Sequence, residues 1–135
     1  MAEKVFQLKI LSPDRIFYEG DAVMIELKTT EGEIGVYKGH SPLTVILVPG
    51  IIKITEKGGE VKRAALYSGF AEILKEEVTI LAEVAEWPEE IDINRAKEAK
   101  IRAERALNSE DSDVDTLRAE MALRRALTRI ELGDK

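Results

Sequence analysis

The sequence predicts an α+β protein: an N-terminal antiparallel β-sandwich or barrel followed by a C-terminal antiparallel hairpin of two helices. Three observations carry that expectation. Short stretches of alternating apolar and polar residues, set apart by glycine-bearing turns, fill the first part of the chain. All three Phe, all three Tyr and the Trp precede Pro88, and every Gly except Gly133 lies at or before Gly69. Beyond Pro88 the chain turns to Ala, Arg and Glu, which favour helices. The break divides the chain into residues 1–87, the sandwich, and 88–135, the hairpin.

Phe6, Leu8 and Ile10 alternate with Gln7 and Lys9, as in a strand with one buried face. Val23, Ile25 and Leu27 alternate likewise with Met24 and Glu26. "TTEGE" and "EKGGE" connect β-branched runs through glycine and predict hairpins. In "VILVPGIIKIT" the Pro49–Gly50 pair ends one strand and begins another. Ala64 with Leu66, then Val78 with Ile80, complete the set, and such closely spaced strands predict a sandwich or barrel.

In the second half Asp92, Ala96, Ala99, Ala103 and Ala106 fall at spacings of four, three, four and three, one stripe of a helix. "NSEDSD" interrupts, with Ser112 and Asp113 as candidate N-caps. Asp115, Ala119, Ala122, Ala126 and Arg129 then repeat the spacing, and the short connection predicts an antiparallel hairpin.

Alanine seams let helix backbones approach closely but bury little. Each Ala in place of Leu forgoes about three carbons, roughly 2 kcal/mol at ~0.8 kcal/mol per methylene. Such a seam fits a hairpin built to come apart, and equally fits alanine chosen for helix propensity alone. An antiparallel hairpin also brings Asp92 and Arg95 beside Arg125 and Arg129, three guanidiniums against one carboxylate. An anion would balance them, and arginine's planar fork suits phosphate oxygens. A solvated basic face, with Glu98 and Glu104 as counter-charges, satisfies the same spacing. Spacing alone leaves both open.

Composition narrows the function classes. At 135 residues and 44% hydrophobic, the chain suits one compact domain, or one domain with an appendage. A net charge of -6 argues against nucleic-acid binding, and the absence of cysteine excludes disulfides, thiolate chemistry and zinc fingers. "MAEKVFQLKI" has no signal-peptide core, and no apolar run reaches the ~20 residues of a membrane span. A soluble intracellular chain is expected, with membrane contact only through another protein. There is no Gly-Lys-Ser/Thr phosphate loop and no His-Glu-x-x-His site, and His40 is the lone histidine. The pattern points away from an enzyme and from any bound metal.

At "GEIGVYKGHSPL", Gly32, Glu33, Gly35, Gly39, His40, Pro42 and Leu43 resemble the signature of the epsilon-subunit family of rotary ATP synthases. "LKILSPDRIFYEGDA", "SGFAEI" and "VTILAEVAE" are similar to that family's strands, and "DINRAKEAKIRAERAL" and "RAEMALRRALTRIE" to its two helices. The resemblance implies a non-catalytic rotor subunit on the cytoplasmic face of the cell membrane, held there peripherally by its complex. Its sandwich would grip the gamma subunit and rest on the c-ring, with Glu33 and His40 facing ring loops. Its hairpin would fold down on the sandwich or extend into the alpha/beta catalytic head and block hydrolysis. The strip of Arg118, Arg124, Arg125 and Arg129 would then be the inhibitory surface.

Some bacterial members bind ATP, as a regulatory ligand, through an Ile-Asp-x-x-Arg-Ala motif and arginines of the last helix. Ile91, Asp92, Arg95 and Ala96 match that motif, Arg125 and Arg129 the later positions, and Glu86 a further contact. The resemblance thereby favours the anion site. A stand-alone nucleotide-sensing module of the same architecture is the alternative. The pattern departs from the family at Lys38, where proline is frequent, and at Ser68, where a second glycine is frequent; Trp87–Pro88 at the hinge is individual.

Overall fold

The computed structural model describes residues 4–109 and 115–133. Strands come first: β1 (Phe6–Ser12), β2 (Arg15–Thr29), β3 (Gly32–Tyr37), β4 (Leu43–Leu47), β5 (Gly50–Glu56), β6 (Val61–Leu66), β7 (Gly69–Ile73), β8 (Glu77–Ala82) and β9 (Ala85–Glu86). A 3-10 turn, Pro88–Glu90, leads into α1 (Ile93–Leu107), and α2 (Thr116–Gly133) follows. The hydrogen-bonded order is β1-β8-β7-β4-β2-β5-β6-β9, with β3 added to β2. β1 also pairs with β2, so the path closes on itself. The length of β2 allows this, because its first half pairs with β1 and its second with β3 and β5.

One pairing departs from the antiparallel expectation. β1 and β8 run parallel, with Leu8 opposite Val78 and Ile10 opposite Ile80. The direction of β8 is set by its hairpin with β7, far along the chain from β1, and local alternation carries no information about that partner.

Phe6, Leu8 and Ile10 are buried in the core, as their alternation predicts, together with Ile25, Leu27, Ile52, Ile54, Val78 and Ile80. Val23 is a correction. A bulge between Ala22 and Met24 in the β2–β5 register puts Ala22 in the core and leaves Val23 partly exposed.

Both turn departures have local explanations. Tyr37 O accepts from His40 N (3.3 Å) and Gly39 has φ +88°, the geometry of a type II turn with Lys38 at its second position. Proline suits that position without being required, because only the next residue needs positive φ. Gly69 has φ +135°, and a Cβ there would strike the Leu81 carbonyl. Gly69 alone meets that constraint, so Ser68 is free to donate its hydroxyl to Glu83 Oε2 (2.7 Å).

Asp92 Oδ1 accepts from Arg95 N (3.1 Å), which makes Asp92 the N-cap of α1. Asp115 Oδ1 caps α2 in the same way, through Arg118 N (3.0 Å). Ser112 and Asp113, the expected caps, lie outside the described residues.

Ala96 and Ala103 of α1 and Ala119 and Ala126 of α2 are buried in the helix seam. Gly133 lies so close to the start of α1 that a Cβ would strike Ile93, which fixes the helices as antiparallel. The hairpin is folded down, with α2 packed on β5 and β6. Leu132 joins Ala65 and Tyr67 in a small buried cluster, with Ile51 and Ile91 against it. Full burial of a leucine of this kind contributes about 1.5–3 kcal/mol. This contact explains why Ala64, Ala65 and Leu66 are buried in succession: β6 is covered on both faces.

Candidate functional site

A cavity of about 300 Å³ opens where sandwich edge, hinge and both helices meet. β9 brings Glu86, the 3-10 turn brings Glu90, the N-cap position brings Asp92, α1 brings Arg95, Ala96, Ala99 and Arg102, and α2 brings Arg129. At its wall, among the described residues, one side-chain hydrogen bond joins sandwich to helix. Arg129 Nε–H donates to Glu86 Oε1 (2.8 Å), and the Tyr67 hydroxyl donates to the same oxygen (2.7 Å). The Arg129 guanidinium lies over the Tyr67 ring, 4.6 Å from its centroid. Burial opposes the charge on Arg129, but the hydrogen bond to Glu86 and the nearby Tyr67 outweigh it and raise its pKa.

Glu90 is tied to the sandwich. Its Oε1 accepts from Arg15 Nη2 (2.9 Å) and from Trp87 N (2.8 Å). The Arg15 hydrogen bond, then that of Trp87, lowers the Glu90 pKa. Trp87 stacks on Phe17, ring centroids 4.3 Å apart, with Tyr18 edge-on at 6.3 Å. The hinge residue is therefore a core anchor.

Five of the expected ATP-site residues line the cavity: Glu86, Asp92, Arg95, Ala96 and Arg129. Ile91 does not line it and packs beneath, against Ala65, Tyr67 and Leu132. Arg125 is half-buried one turn before Arg129 and does not line the cavity. The expected imbalance of three guanidiniums against one carboxylate is therefore corrected. Arg95, Arg102 and Arg129 face Glu86, Glu90 and Asp92, because the sandwich edge and hinge supply carboxylates that helical spacing does not show. Those carboxylates are already engaged, Glu86 by Arg129, Glu90 by Arg15 and Asp92 as an N-cap. Arg95 and Arg102 form no ion pair among the described residues. They are the guanidiniums of the cavity wall that have no carboxylate partner among the described residues.

Spacing could have found Arg102, which lies seven residues after Arg95 on the same helix face. Glu90 could have been found as the acid that caps a turn opened by Trp87–Pro88. Nothing in the sequence signals Tyr67 or Arg15 at this place.

Arg118 lines an adjoining groove of about 420 Å³ between the helices, which shares Ala99 and Arg102 with the cavity and is floored by Ala103, Ala106, Ala119 and Ala122. Alanine leaves this gap open. Arg124 is exposed, and its carbonyl accepts from the buried Thr128 hydroxyl (2.8 Å). Glu33 and His40 do not share a turn: Glu33 is exposed within β3, and His40 follows its other end, with Nδ1 2.7 Å from Ser41 O.

Residues 5–88 match the family "ATP synthase, Delta/Epsilon chain, beta-sandwich domain", and residues 89–132 match the family "ATP synthase, Delta/Epsilon chain, long alpha-helix domain". The chain belongs to the ATP synthase delta/epsilon family. It is 50% identical over 129 residues to an ATP synthase epsilon chain of Clostridium novyi, covering 96% of this chain and 98% of that one. It is 47% identical over 134 residues to an epsilon chain of Caldanaerobacter subterraneus, covering 98% and 96%. A chain in the mitochondrial ATP synthase of Euglena gracilis, solved as the OSCP/F1/c-ring assembly, superposes with a TM-score of 0.85. That similarity holds at 26% identity over 100% of this chain and 84% of the other. No described helix of this delta/epsilon-family chain is long and apolar enough to cross a membrane.

Proposed function

We propose that this epsilon-type chain couples the shaft of a rotary ATP synthase to its c-ring and brakes ATP hydrolysis through its hairpin, with ATP holding the hairpin down. The observation that carries the reading is the cavity walled by Glu86, Glu90, Asp92, Arg95, Arg102 and Arg129. These residues come from the sandwich, the hinge and both helices, so the site exists only while the hairpin is closed. Its volume is at the lower end of the ~300–1,000 Å³ typical of ligand sites.

In this reading Arg95 and Arg102 receive phosphate oxygens, and the free donors of Arg129 join them. Arg125, one turn away, would have to be drawn in by the ligand. ATP bound to one state only stabilises it by RT ln(1 + [ATP]/Kd), about 2.7 kcal/mol at a hundredfold excess. That is comparable to what the alanine seam forgoes at one or two positions. Extended, the hairpin would carry Arg118, Arg124, Arg125 and Arg129 to acidic surfaces of the catalytic head.

The sandwich supplies a docking face for the shaft. Ile46, Phe70, Leu81, Leu11 and Ile16 are successive register partners across β4, β7, β8, β1 and β2. They form one apolar row on the outer face, with Ile46 and Ile16 about 60% exposed. Scattered apolar residues are ordinary, but a continuous row supports an interface. Glu33 and His40, at opposite ends of the edge strand β3, would meet ring loops at two separate points.

The test is ATP hydrolysis by the reassembled enzyme with this chain complete or lacking α2. Removal should raise hydrolysis. Unchanged hydrolysis would leave a coupling subunit without a brake.

A further inference from the structure

We infer that Tyr67, which does not line the cavity, is a positioning residue for the nucleotide site, acting through Glu86. The inference rests on the nucleotide reading of that cavity. Tyr67 is 2% exposed, and its hydroxyl donates to Glu86 Oε1 at 2.7 Å. Burial first, and then this hydrogen bond, raise the phenol pKa far above its ordinary value. The group is therefore a donor throughout the neutral range.

The bond has a particular place in the architecture. Tyr67 follows β6 and Glu86 ends β9, so both partners of the bond belong to the sandwich. Among the described residues, Arg129 is the helix side chain that reaches this carboxylate. Tyr67 thus holds the Glu86 carboxylate from within the sandwich. With Oε1 accepting from Tyr67 and Arg129, the second carboxylate oxygen is left as an acceptor for a ligand. The Tyr67 ring meanwhile supports the Arg129 guanidinium from below, 4.6 Å from the ring centroid. One buried side chain therefore orients an acceptor and a cation on two walls of the cavity. Binding gains when such groups are held in place before the ligand enters.

Tyr67→Phe separates this role from packing, because the ring and its contact with Arg129 stay. The experiment is calorimetric titration with ATP of the full chain, Tyr67→Phe, Glu86→Gln and the double variant, with ligand-free melting recorded for each. The expected result is ATP binding by the unaltered chain, weakened roughly five- to tenfold in Tyr67→Phe. Tyr67→Phe should add little further loss in the Glu86→Gln background. Fully additive losses overturn the role, as does a melting shift in Tyr67→Phe large enough to account for the weaker binding. Unchanged affinity in Tyr67→Phe overturns it while sparing the nucleotide site. No binding by the unaltered chain at millimolar ATP overturns both.

Discussion

Arg129 of α2 reaches Glu86 of β9 at 2.8 Å, joining helix to sandwich by a charge-assisted hydrogen bond. Both side chains are partly shielded, with side-chain exposures of 30% and 23%. Glu86→Ala would leave Arg129 without its carboxylate and the buried Tyr67 hydroxyl without an acceptor. Its expected cost is about 1–3 kcal/mol. Urea unfolding should show this as a lower midpoint with little change in slope.

The outer-face row gives a second expectation. Phe70 is 42% exposed, between Ile46 and Leu81. Phe70→Asp should leave the isolated chain folded and weaken its retention on a gamma-containing subcomplex about tenfold or more. Equal retention at low micromolar concentration would remove this face from the interface.

Lys38 occupies the second position of a type II turn, where the required φ is the one proline imposes. Lys38→Pro should therefore stabilise the chain by about 0.4–1 kcal/mol through loss of unfolded-state entropy. Thermal melting measures this directly, and a lower midpoint would contradict the turn assignment.

Acid should loosen the hinge. Hydrogen bonds from Arg15 and then Trp87 hold the Glu90 pKa below its ordinary value. A depressed folded pKa contributes stability that is present above the ordinary glutamate pKa of about 4.3, and it is lost as pH falls through the folded value. Glu90→Gln should flatten that part of the acid limb. Glu90 is well solvated, so the effect should be small; melting from pH 7 to pH 3 measures it.

Much of this molecule was legible in its sequence because local pattern and local structure coincide there. Phe6, Leu8 and Ile10 alternate and are buried, and Pro49–Gly50 separates β4 from β5. The alanine spacing marked the seam, and Asp92, Arg95 and Arg129 were within reach of helical geometry. The rest depends on contacts between distant segments. The parallel β1–β8 pairing joins strands some seventy residues apart, and the bulge at Ala22 inverts one step of an alternation that otherwise holds. Glu90 and Tyr67 enter the site region from the hinge and from the segment after β6, where no periodicity announces them. Arg125 is the converse case: spacing put it near Arg129, and in this structure it lies one turn away without lining the cavity.

The central claim is that ATP holds the hairpin against the sandwich. Its most direct test is resonance energy transfer between a label on exposed Arg124 of α2 and one on exposed Lys57 at the tip of the β5–β6 hairpin, titrated with ATP. The unaltered chain should shift toward a single closed distance as ATP rises. Arg95→Ala, which removes one free guanidinium of the cavity, should need about tenfold more ATP or more. A distance distribution that does not respond to millimolar ATP would contradict the claim and leave the closed hairpin resting on packing and the Glu86–Arg129 bond alone.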